Sequence, residues 1–342
     1  MPIHPFDPPR GTIETFSIRA PELENVLGDP IERQVAVYLP PGYHDTTEAY
    51  PLFVDLAPFT GSGLKRLAWT AFGESVPQRI DRLTAEGVLG PVVVAFPDAF
   101  TSLGGNQYVD SAALGRWGTF VARTLVAALE ARYRLLPGPR HRAVYGRSSG
   151  GYGALVSAMR FPGTWGAVAC HSGDMGFDWL YRRDLPALLD QLAAAGGVEG
   201  FVASVRAAPR VRGEAFHTLM MLAMAASYDP DPQAPFGVRL PVDPHTCELD
   251  EAAWRRWLAH DPVHMVDDPD LRAGLGDLAC LFLDCGSRDP YFLHYGARTV
   301  ARKLAAYGID HTHEEFPDGH SGLDYRLDVS LPKLYAACAP PA

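Results

Sequence analysis

The chain has 342 residues, of which 47% are hydrophobic and 20% are charged, a composition typical of a globular protein with enough apolar material for a sizeable core. Its formal net charge of −10 argues against nucleic acid or an anionic membrane as a partner. The sequence holds no run of about 18 apolar residues and therefore predicts no membrane span. Small molecules are the expected partners, and self-association into a homo-oligomer is left open.

The N-terminal segment and the cysteines indicate a compartment. Met1–Arg10 lacks the basic and apolar regions of a signal peptide. The five cysteines are odd in number and show no framework spacing. Cys170, Cys280 and Cys285 fall in apolar segments, which favours free, buried thiols in a reducing environment. The predicted location is cytoplasmic.

Strand and helix patterns alternate along the chain, which predicts an α/β fold with a mostly parallel central sheet and helices on both faces. Two N-terminal strands, near 12–20 and 33–39, are expected to pair antiparallel. Further core strands are predicted near 51–56, 91–96, 142–146, 167–170, 278–284 and 309–316, and core helices near 77–86, 116–133 and 291–307, with one more helix ending at Arg160.

Residues 177–277 separate two of these strands and are mostly helical in pattern, with helices predicted over 185–195, 216–226 and 251–259. We expect one domain over residues 1–342, with 177–277 as an inserted lid segment that shapes the substrate pockets. Met220, Met221 and Met224 either line this lid or pack in its core.

The most informative segment is a Gly-x-Ser-x-Gly pattern centred on Ser148, between the strand at 142–146 and the following helix. This order is typical of a nucleophile elbow, a sharp turn that exposes the serine hydroxyl at the end of a strand. Gly146 and Gly150 supply the small residues that such a turn needs beside it. Ser148 is therefore the predicted nucleophile.

A serine nucleophile needs a base and an acid that orients the base, and in α/β-hydrolases the chain order is Ser, acid, His. Asp289 lies in a turn-rich segment just past the strand at 278–284 and is the predicted acid. Asp284, at the end of that strand, is the nearest alternative.

His320 is the predicted base, because it lies on a glycine-flanked loop just past the strand at 309–316. His311 and His313 are interpreted as strand residues whose side chains share a face. Their spacing suits a metal, but no third ligand is evident nearby in the sequence, so no metal site is predicted.

Acyl transfer also needs N–H donors for the oxyanion of the transition state. The backbone N–H of Ser149, the residue after the nucleophile, is the first candidate. The second is expected from the loop after the strand at 51–56, where Pro58 has no N–H, so Phe59 is the predicted donor and Thr60 the next choice. The alternative is that this glycine-rich stretch is only a surface loop.

A second loop follows the strand at 91–96 and reaches the same edge of the sheet. Asn106, Gln107 and Tyr108 either hydrogen-bond a polar substrate or tie this loop together. Tyr152, four residues past the serine, either lines the pocket or packs against the helix start, and we expect it in the pocket.

These segments resemble the putative-esterase family of α/β-hydrolases, which includes S-formylglutathione hydrolases, feruloyl and acetylxylan esterases, enterochelin esterases and mycolyltransferases. The entry strand and turn at 33–43, the elbow at 146–155, and the segments around Asp289 and His320 carry the resemblance. It implies an α/β-hydrolase fold and the same three catalytic residues. Two features depart from the family: Ala57-Pro58 replaces a common His-Gly pair, and the insertion is long.

The sequence therefore predicts a serine carboxylic-ester hydrolase with a Ser-His-Asp triad and an acyl-enzyme intermediate, acting on a small ester or thioester without cofactor or metal. One alternative is an acyltransferase that passes the acyl group to a sugar or another alcohol with the same triad. An alternative of another class is a non-catalytic hydrolase-fold protein that only binds a ligand.

Overall fold

An eight-stranded sheet forms the centre of the computed structural model, which describes residues 6–211 and 213–340. The first five residues, part of the N-terminal segment in which no signal peptide is predicted, lie outside the described residues. The strands are β1 Thr12–Arg19, β2 Glu32–Leu39, β3 Leu52–Leu56, β4 Val93–Pro97, β5 Asp110–Ser111, β6 Gly115–Arg116, β7 Arg142–Arg147, β8 Ala167–His171, β9 Cys280–Gly286 and β10 Thr312–Phe316.

The strand order in this sheet is β1-β2-β4-β3-β7-β8-β9-β10, and β5 pairs with β6 in a separate small ribbon. β1 pairs antiparallel with β2, as predicted, and β2 also pairs antiparallel with β4. The other neighbouring strands of the large sheet, β4-β3-β7-β8-β9-β10, run parallel. The carboxyl ends of these parallel strands therefore meet at one edge, where ligands bind in such sheets.

The helices are α1 Val76–Ala85, α2 Trp117–Thr119, α3 Val126–Arg132, α4 Ser149–Arg160, α5 Phe177–Leu180, α6 Leu185–Ala195, α7 Val198–Ala207, α8 Gly213–Tyr228, α9 Glu251–Leu258, α10 Pro262–Met265, α11 Pro269–Gly276, α12 Leu293–Ala306 and α13 Leu327–Cys338. The helix predicted over 116–133 is split, because a π-helical stretch at Phe120–Leu125 joins α2 to α3. No helix in the described part of the chain has both the length and the apolar character needed to cross a membrane.

Helices cover both faces of the sheet, so its central strands are buried on both sides. On one face, Ile80 of α1 and Leu331 and Leu334 of α13 pack against the sheet. On the other, Leu129 of α3 and Leu155 of α4 belong to a larger cluster. The predicted α/β-hydrolase fold, with a mostly parallel sheet and helices on both faces, is confirmed.

Helices α5–α11 form the segment between β8 and β9, where the sequence places the insertion. Their apolar side chains, such as Met224 and Trp257, join the same buried cluster as the helices of the core. Both carboxylate oxygens of Asp261 also accept backbone N–H groups at the start of the segment, from Gly176 at 2.9 Å and Phe177 at 2.7 Å. The segment is thus packed onto the sheet domain; its action as a lid stays a prediction.

Candidate active site

Ser148 lies on a strained turn between β7 and α4. Its φ of 56° and ψ of −126° belong to a region that residues other than glycine rarely adopt. Close packing fixes this turn, because a Cβ on Gly150 would collide with the carbonyl oxygen of Leu56. The Ser148 N–H donates to the carbonyl of His171 at 2.9 Å. The local structure is the elbow that the Gly-x-Ser-x-Gly pattern predicts.

Ser148, His320 and Asp289 are joined by hydrogen bonds. His320 Nε2 lies 3.0 Å from Ser148 Oγ, and His320 Nδ1 lies 2.7 Å from Asp289 Oδ2. Asp289 is buried, and its other oxygen accepts the Tyr291 N–H at 2.8 Å. Arg147 donates to the carbonyl of His320 at 2.7 Å, which ties the histidine loop to the elbow.

Asp284, the alternative acid, is bonded elsewhere. Its Oδ1 lies 2.8 Å from His171 Nδ1, and its Oδ2 accepts from Arg326 Nε at 2.8 Å. His171 Nε2 in turn lies 2.9 Å from Ser330 Oγ, and all of Ser330, His171 and Asp284 are buried. The molecule thus contains a second Ser–His–Asp arrangement, which is apart from His320.

His311 and His313, the other histidines weighed from the sequence, do not line the cleft that contains Ser148. His311 lies just before β10, with its Nδ1 2.9 Å from the carbonyl of Ile309. His313 lies within β10, where burial lowers the pKa of its imidazole.

A cleft with about 650 Å³ of open space lies over Ser148. One side comes from the ends of the core strands and the other from helices of the inserted segment. Its lining residues are Pro58, Phe59, Thr60, Arg147, Ser148, Ser149, Asp174, Leu180, Tyr181, Phe216, Met220, Tyr291, His320 and Ser321.

The two predicted oxyanion donors, Ser149 and Phe59, both lie in this lining. Ser149 is the first residue of α4, so its N–H has no partner within the helix and lies at the positive end of the helix dipole. A second loop supports Phe59 from behind, because a Cβ on Gly105 would collide with its backbone. Thr60, the second choice for the donor, lines the cleft as well.

Asn106, Gln107 and Tyr108 lie behind the cleft wall and are not among its lining residues, contrary to the substrate-contact interpretation. Asn106 Oδ1 accepts the Tyr108 N–H at 2.6 Å, and the Tyr108 hydroxyl donates to the carbonyl of Ala57 at 2.8 Å. Gln107 Nε2 donates to Ser149 Oγ at 2.7 Å. These contacts fit the alternative interpretation, in which the three residues hold the loop together.

Tyr152 is also buried outside the lining, contrary to the expectation that it lies in the pocket. Its hydroxyl donates to the carbonyl of His260 at 2.9 Å, and its ring packs against Phe177 and Tyr228. The inserted segment covers it, which the local sequence could not reveal. Of the three methionines weighed above, Met220 lines the cleft, while Met221 and Met224 are fully buried.

Sequence reasoning missed Asp174, a buried carboxyl in the cleft. Its Oδ2 accepts from the Tyr181 hydroxyl at 3.0 Å and from Ser149 Oγ at 3.3 Å. Burial raises its pKa, while nearby His320 and hydrogen bonds from Tyr181, Gln107 and Ser149 oppose that rise. A signal was present in the sequence, because Asp174 follows the end of a predicted strand by a few residues, as Asp289 does.

Solved structures resemble this chain over nearly its whole length. A ferulic acid esterase has 18% identity and a TM-score of 0.62, with 96% of this chain and 99% of that chain covered. A fluorophosphonate-binding serine hydrolase from Staphylococcus aureus has 14% identity and a TM-score of 0.60, with 96% and 99% covered. An S-formylglutathione hydrolase from Agrobacterium tumefaciens has 16% identity and a TM-score of 0.57, with 96% of both chains covered. At such low sequence identities, the structural similarity shows a common fold and no more.

The comparison with curated protein sequences found no match. The sequence model of the family described as Putative esterase, in contrast, matches residues 30–330, which is most of the chain. The protein therefore belongs to this esterase family and is, at the level of the family, a serine ester hydrolase.

Proposed function

We propose that Ser148, His320 and Asp289 are the catalytic triad of a carboxylic-ester hydrolase that works through an acyl-enzyme. The observation that carries this proposal is the hydrogen-bonded chain of 3.0 Å and 2.7 Å that links the strained serine to a buried carboxylate through the histidine. The serine and the histidine line the same cleft, so an ester bound there can reach both.

In the first half-reaction, His320 Nε2 takes the proton of Ser148 Oγ as that oxygen attacks the ester carbonyl. The carbonyl oxygen becomes an oxyanion, which the N–H groups of Ser149 and Phe59 stabilise. Asp289 accepts from Nδ1 and stabilises the charged imidazolium. When the tetrahedral intermediate collapses, His320 gives its proton to the leaving alcohol, and the acyl group stays on Ser148.

In the second half-reaction, water takes the place of the alcohol. His320 removes a proton from the water as it attacks the acyl carbonyl, and returns that proton to Ser148 Oγ when the carboxylic acid leaves. Atoms balance with ester and water as the only reactants. The protein supplies the nucleophile, the base and the oxyanion donors, and no step requires a cofactor or metal.

Burst kinetics test this mechanism. The protein is mixed rapidly with a short-chain p-nitrophenyl ester, and the acyl adduct is sought by intact-mass spectrometry after an acid quench. We expect a burst of about one p-nitrophenol per active protein and a mass increase of one acyl group on the peptide that contains Ser148. Turnover without any adduct on that peptide, under conditions that trap adducts of known serine esterases, contradicts the proposed intermediate.

We propose further that the enzyme acts in the cytoplasm on small ester or thioester molecules. All five cysteines are free thiols, and Cys170, Cys285 and Cys338 are buried, which suits a reducing compartment. Fractionation of the source cells tests the location: recovery of the mature protein outside the cytoplasm contradicts it. Self-association stays a prediction from the sequence, which light scattering on the purified protein measures.

A further inference from the structure

Asp174 is a buried carboxyl group in the proposed active site that the hydrolytic mechanism does not use. Only 7% of the residue is exposed, yet it lines the same cleft as Ser148 and His320. A buried charge is expected to be paired, because removing a carboxylate from water is costly. Asp174 nevertheless forms no ion pair with any residue in the described ranges, 6–211 and 213–340.

The orientation of this carboxyl is fixed from one side. The hydrogen bonds from Tyr181 and Ser149 both end on Oδ2, at 3.0 Å and 3.3 Å. Behind them, Gln107 donates to Ser149 Oγ at 2.7 Å and accepts from the Tyr228 hydroxyl at 3.1 Å. Gln107 also stabilises the charged carboxyl. The bonds from Tyr181 and Ser149 leave Oδ1 as the oxygen that can accept a hydrogen bond from a ligand.

The inserted segment adds apolar side chains to the cleft that Asp174 lines. Leu180, Phe216 and Met220, all from the inserted segment, line the same wall. Such a wall favours a hydrocarbon or aromatic portion of a ligand, with a single polar group at the carboxyl. The Oδ2 atom of Asp174 lies 3.3 Å from Ser149 Oγ, so a negative charge there also opposes an oxyanion at the Ser149 N–H, unless the ligand or a proton neutralises it.

We propose that Asp174 is a specificity-determining residue, which accepts a hydrogen bond from a hydroxyl or ammonium group of the substrate. The enzyme then prefers esters whose apolar portion carries such a donor over esters that end in a methyl group. This inference rests on the proposed esterase function. A site built to hydrogen-bond a substrate group discriminates strongly against an analogue that lacks it, because the buried acceptor is then left unpaired.

Two series of esters test the inference and separate the possible positions of the donor. The acyl series consists of p-nitrophenyl hexanoate, 6-hydroxyhexanoate and 6-aminohexanoate. The alcohol series consists of the acetates of hexanol, 1,6-hexanediol and 6-aminohexanol. In one series, we expect wild-type kcat/KM to be about 10- to 100-fold higher with a donor than without, the value of a hydrogen bond to a charged group. The hydroxyl and amino members show which donor is preferred.

Asp174→Asn keeps the shape of the side chain and removes its charge. We expect the preference for the donor to fall by more than threefold in this variant, while the plain hexyl esters are still hydrolysed. Asp190→Asn is the matched control, because Asp190 is an exposed residue of α6 outside the cleft lining, and it should keep the wild-type preference.

A wild-type preference below threefold in both series overturns the inference, and this result needs no variant to fold. An unchanged preference in folded Asp174→Asn overturns it as well. If wild-type protein hydrolyses none of these esters, nor any short-chain p-nitrophenyl ester, the proposed function itself fails. Equal hydrolysis of plain and donor-bearing esters leaves that function standing and removes only the role of Asp174.

Discussion

Within residues 6–211 and 213–340, two Ser–His–Asp arrangements have the same connectivity. In one, Ser148, His320 and Asp289 are linked at 3.0 Å and 2.7 Å; in the other, Ser330, His171 and Asp284 are linked at 2.9 Å and 2.8 Å. Hydrogen-bond distances alone do not tell them apart. What differs is the backbone of the serine, the access to it and the other partners of the carboxylate.

Ser148 has a strained positive φ and lines an open cleft, whereas Ser330 lies within helix α13 and is completely buried. Asp284 also forms an ion pair with Arg326, which ties the carboxylate into a structural network. Asp289, in contrast, has no ion pair with arginine or lysine among the described residues. Besides its histidine bond, it accepts the Tyr291 N–H and a long contact from the Cys285 thiol. A hydrogen-bonded triad is therefore a candidate catalyst only where its serine can meet a substrate.

The largest effect should come from removing the base of the exposed arrangement. In His320→Ala, we expect kcat/KM to fall by about 10⁴-fold, because His320 Nε2 is the group hydrogen-bonded to Ser148 Oγ and is the proposed acceptor of its proton. Ser330→Ala is the matched control from the buried arrangement and should stay within about threefold of wild type. Hydrolysis of a p-nitrophenyl ester measures both variants, and comparable losses in the two would erase the distinction between the arrangements.

The buried arrangement should act on stability instead. Asp284→Asn leaves Arg326 and His171 without their shared carboxylate, so the free energy of unfolding should fall by about 3 kcal/mol or more. Urea unfolding measures this change. In the folded fraction kcat should change less than tenfold, whereas Asp289→Asn should lower kcat by about 10⁴-fold. A stable but inactive Asp284→Asn enzyme contradicts this division of roles.

A smaller effect is expected at the proposed oxyanion loop, where Phe59 lines the cleft beside Ser148. Phe59→Pro removes the proposed N–H donor and should lower kcat about 100- to 1000-fold. Phe59→Leu is the control, because it keeps the N–H and changes only the ring. Equal activity of the two variants would contradict the assignment of Phe59 as the donor and would favour another residue, with Thr60 as the first alternative. Covalent labelling of Ser148 in the proline variant checks that the cleft remains open.

The residues at the elbow and at two strand ends could be predicted from the sequence, because each position follows from local pattern and chain order. Ser148, Asp289 and His320 all lie just past predicted strands, and the parallel sheet brings those ends to one edge. The choice of Asp289 over Asp284 also followed from position. The observed strand β9 extends to Gly286, so Asp284 lies inside it and is bonded to a neighbour in the sheet layer.

For the two loops after β3 and β4, the sequence did not predict which one lines the cleft. Both leave the same edge of the sheet, but Phe59 of the first lines the cleft and Gln107 of the second lies behind it. Gly104 and Gly105 let the second loop press directly against Phe59. Strand position predicts the edge that a loop reaches, but the depth of the loop depends on contacts between distant segments.

The inserted segment was the least predictable part of the site. Three of its residues, Leu180, Phe216 and Met220, line the cleft because the inserted segment packs against parts of the chain that are distant in sequence. Their local sequence pattern does not distinguish them from core residues. The same packing buries Tyr152, which its place near the nucleophile suggested as a pocket residue. Tertiary contacts therefore determine which residues of the inserted segment line the cleft, whereas local sequence pattern was enough to predict the proposed triad.

The most direct test of the account is labelling with a fluorophosphonate, followed by intact-mass spectrometry, on wild type, Ser148→Ala and Ser330→Ala. We expect one adduct on wild type and on Ser330→Ala, and none on Ser148→Ala, because Ser148 is the proposed nucleophile and lines the cleft, whereas Ser330 is buried. Circular dichroism of the three proteins confirms that they are folded. An adduct that persists in folded Ser148→Ala, or that disappears in folded Ser330→Ala, contradicts the assignment of the nucleophile.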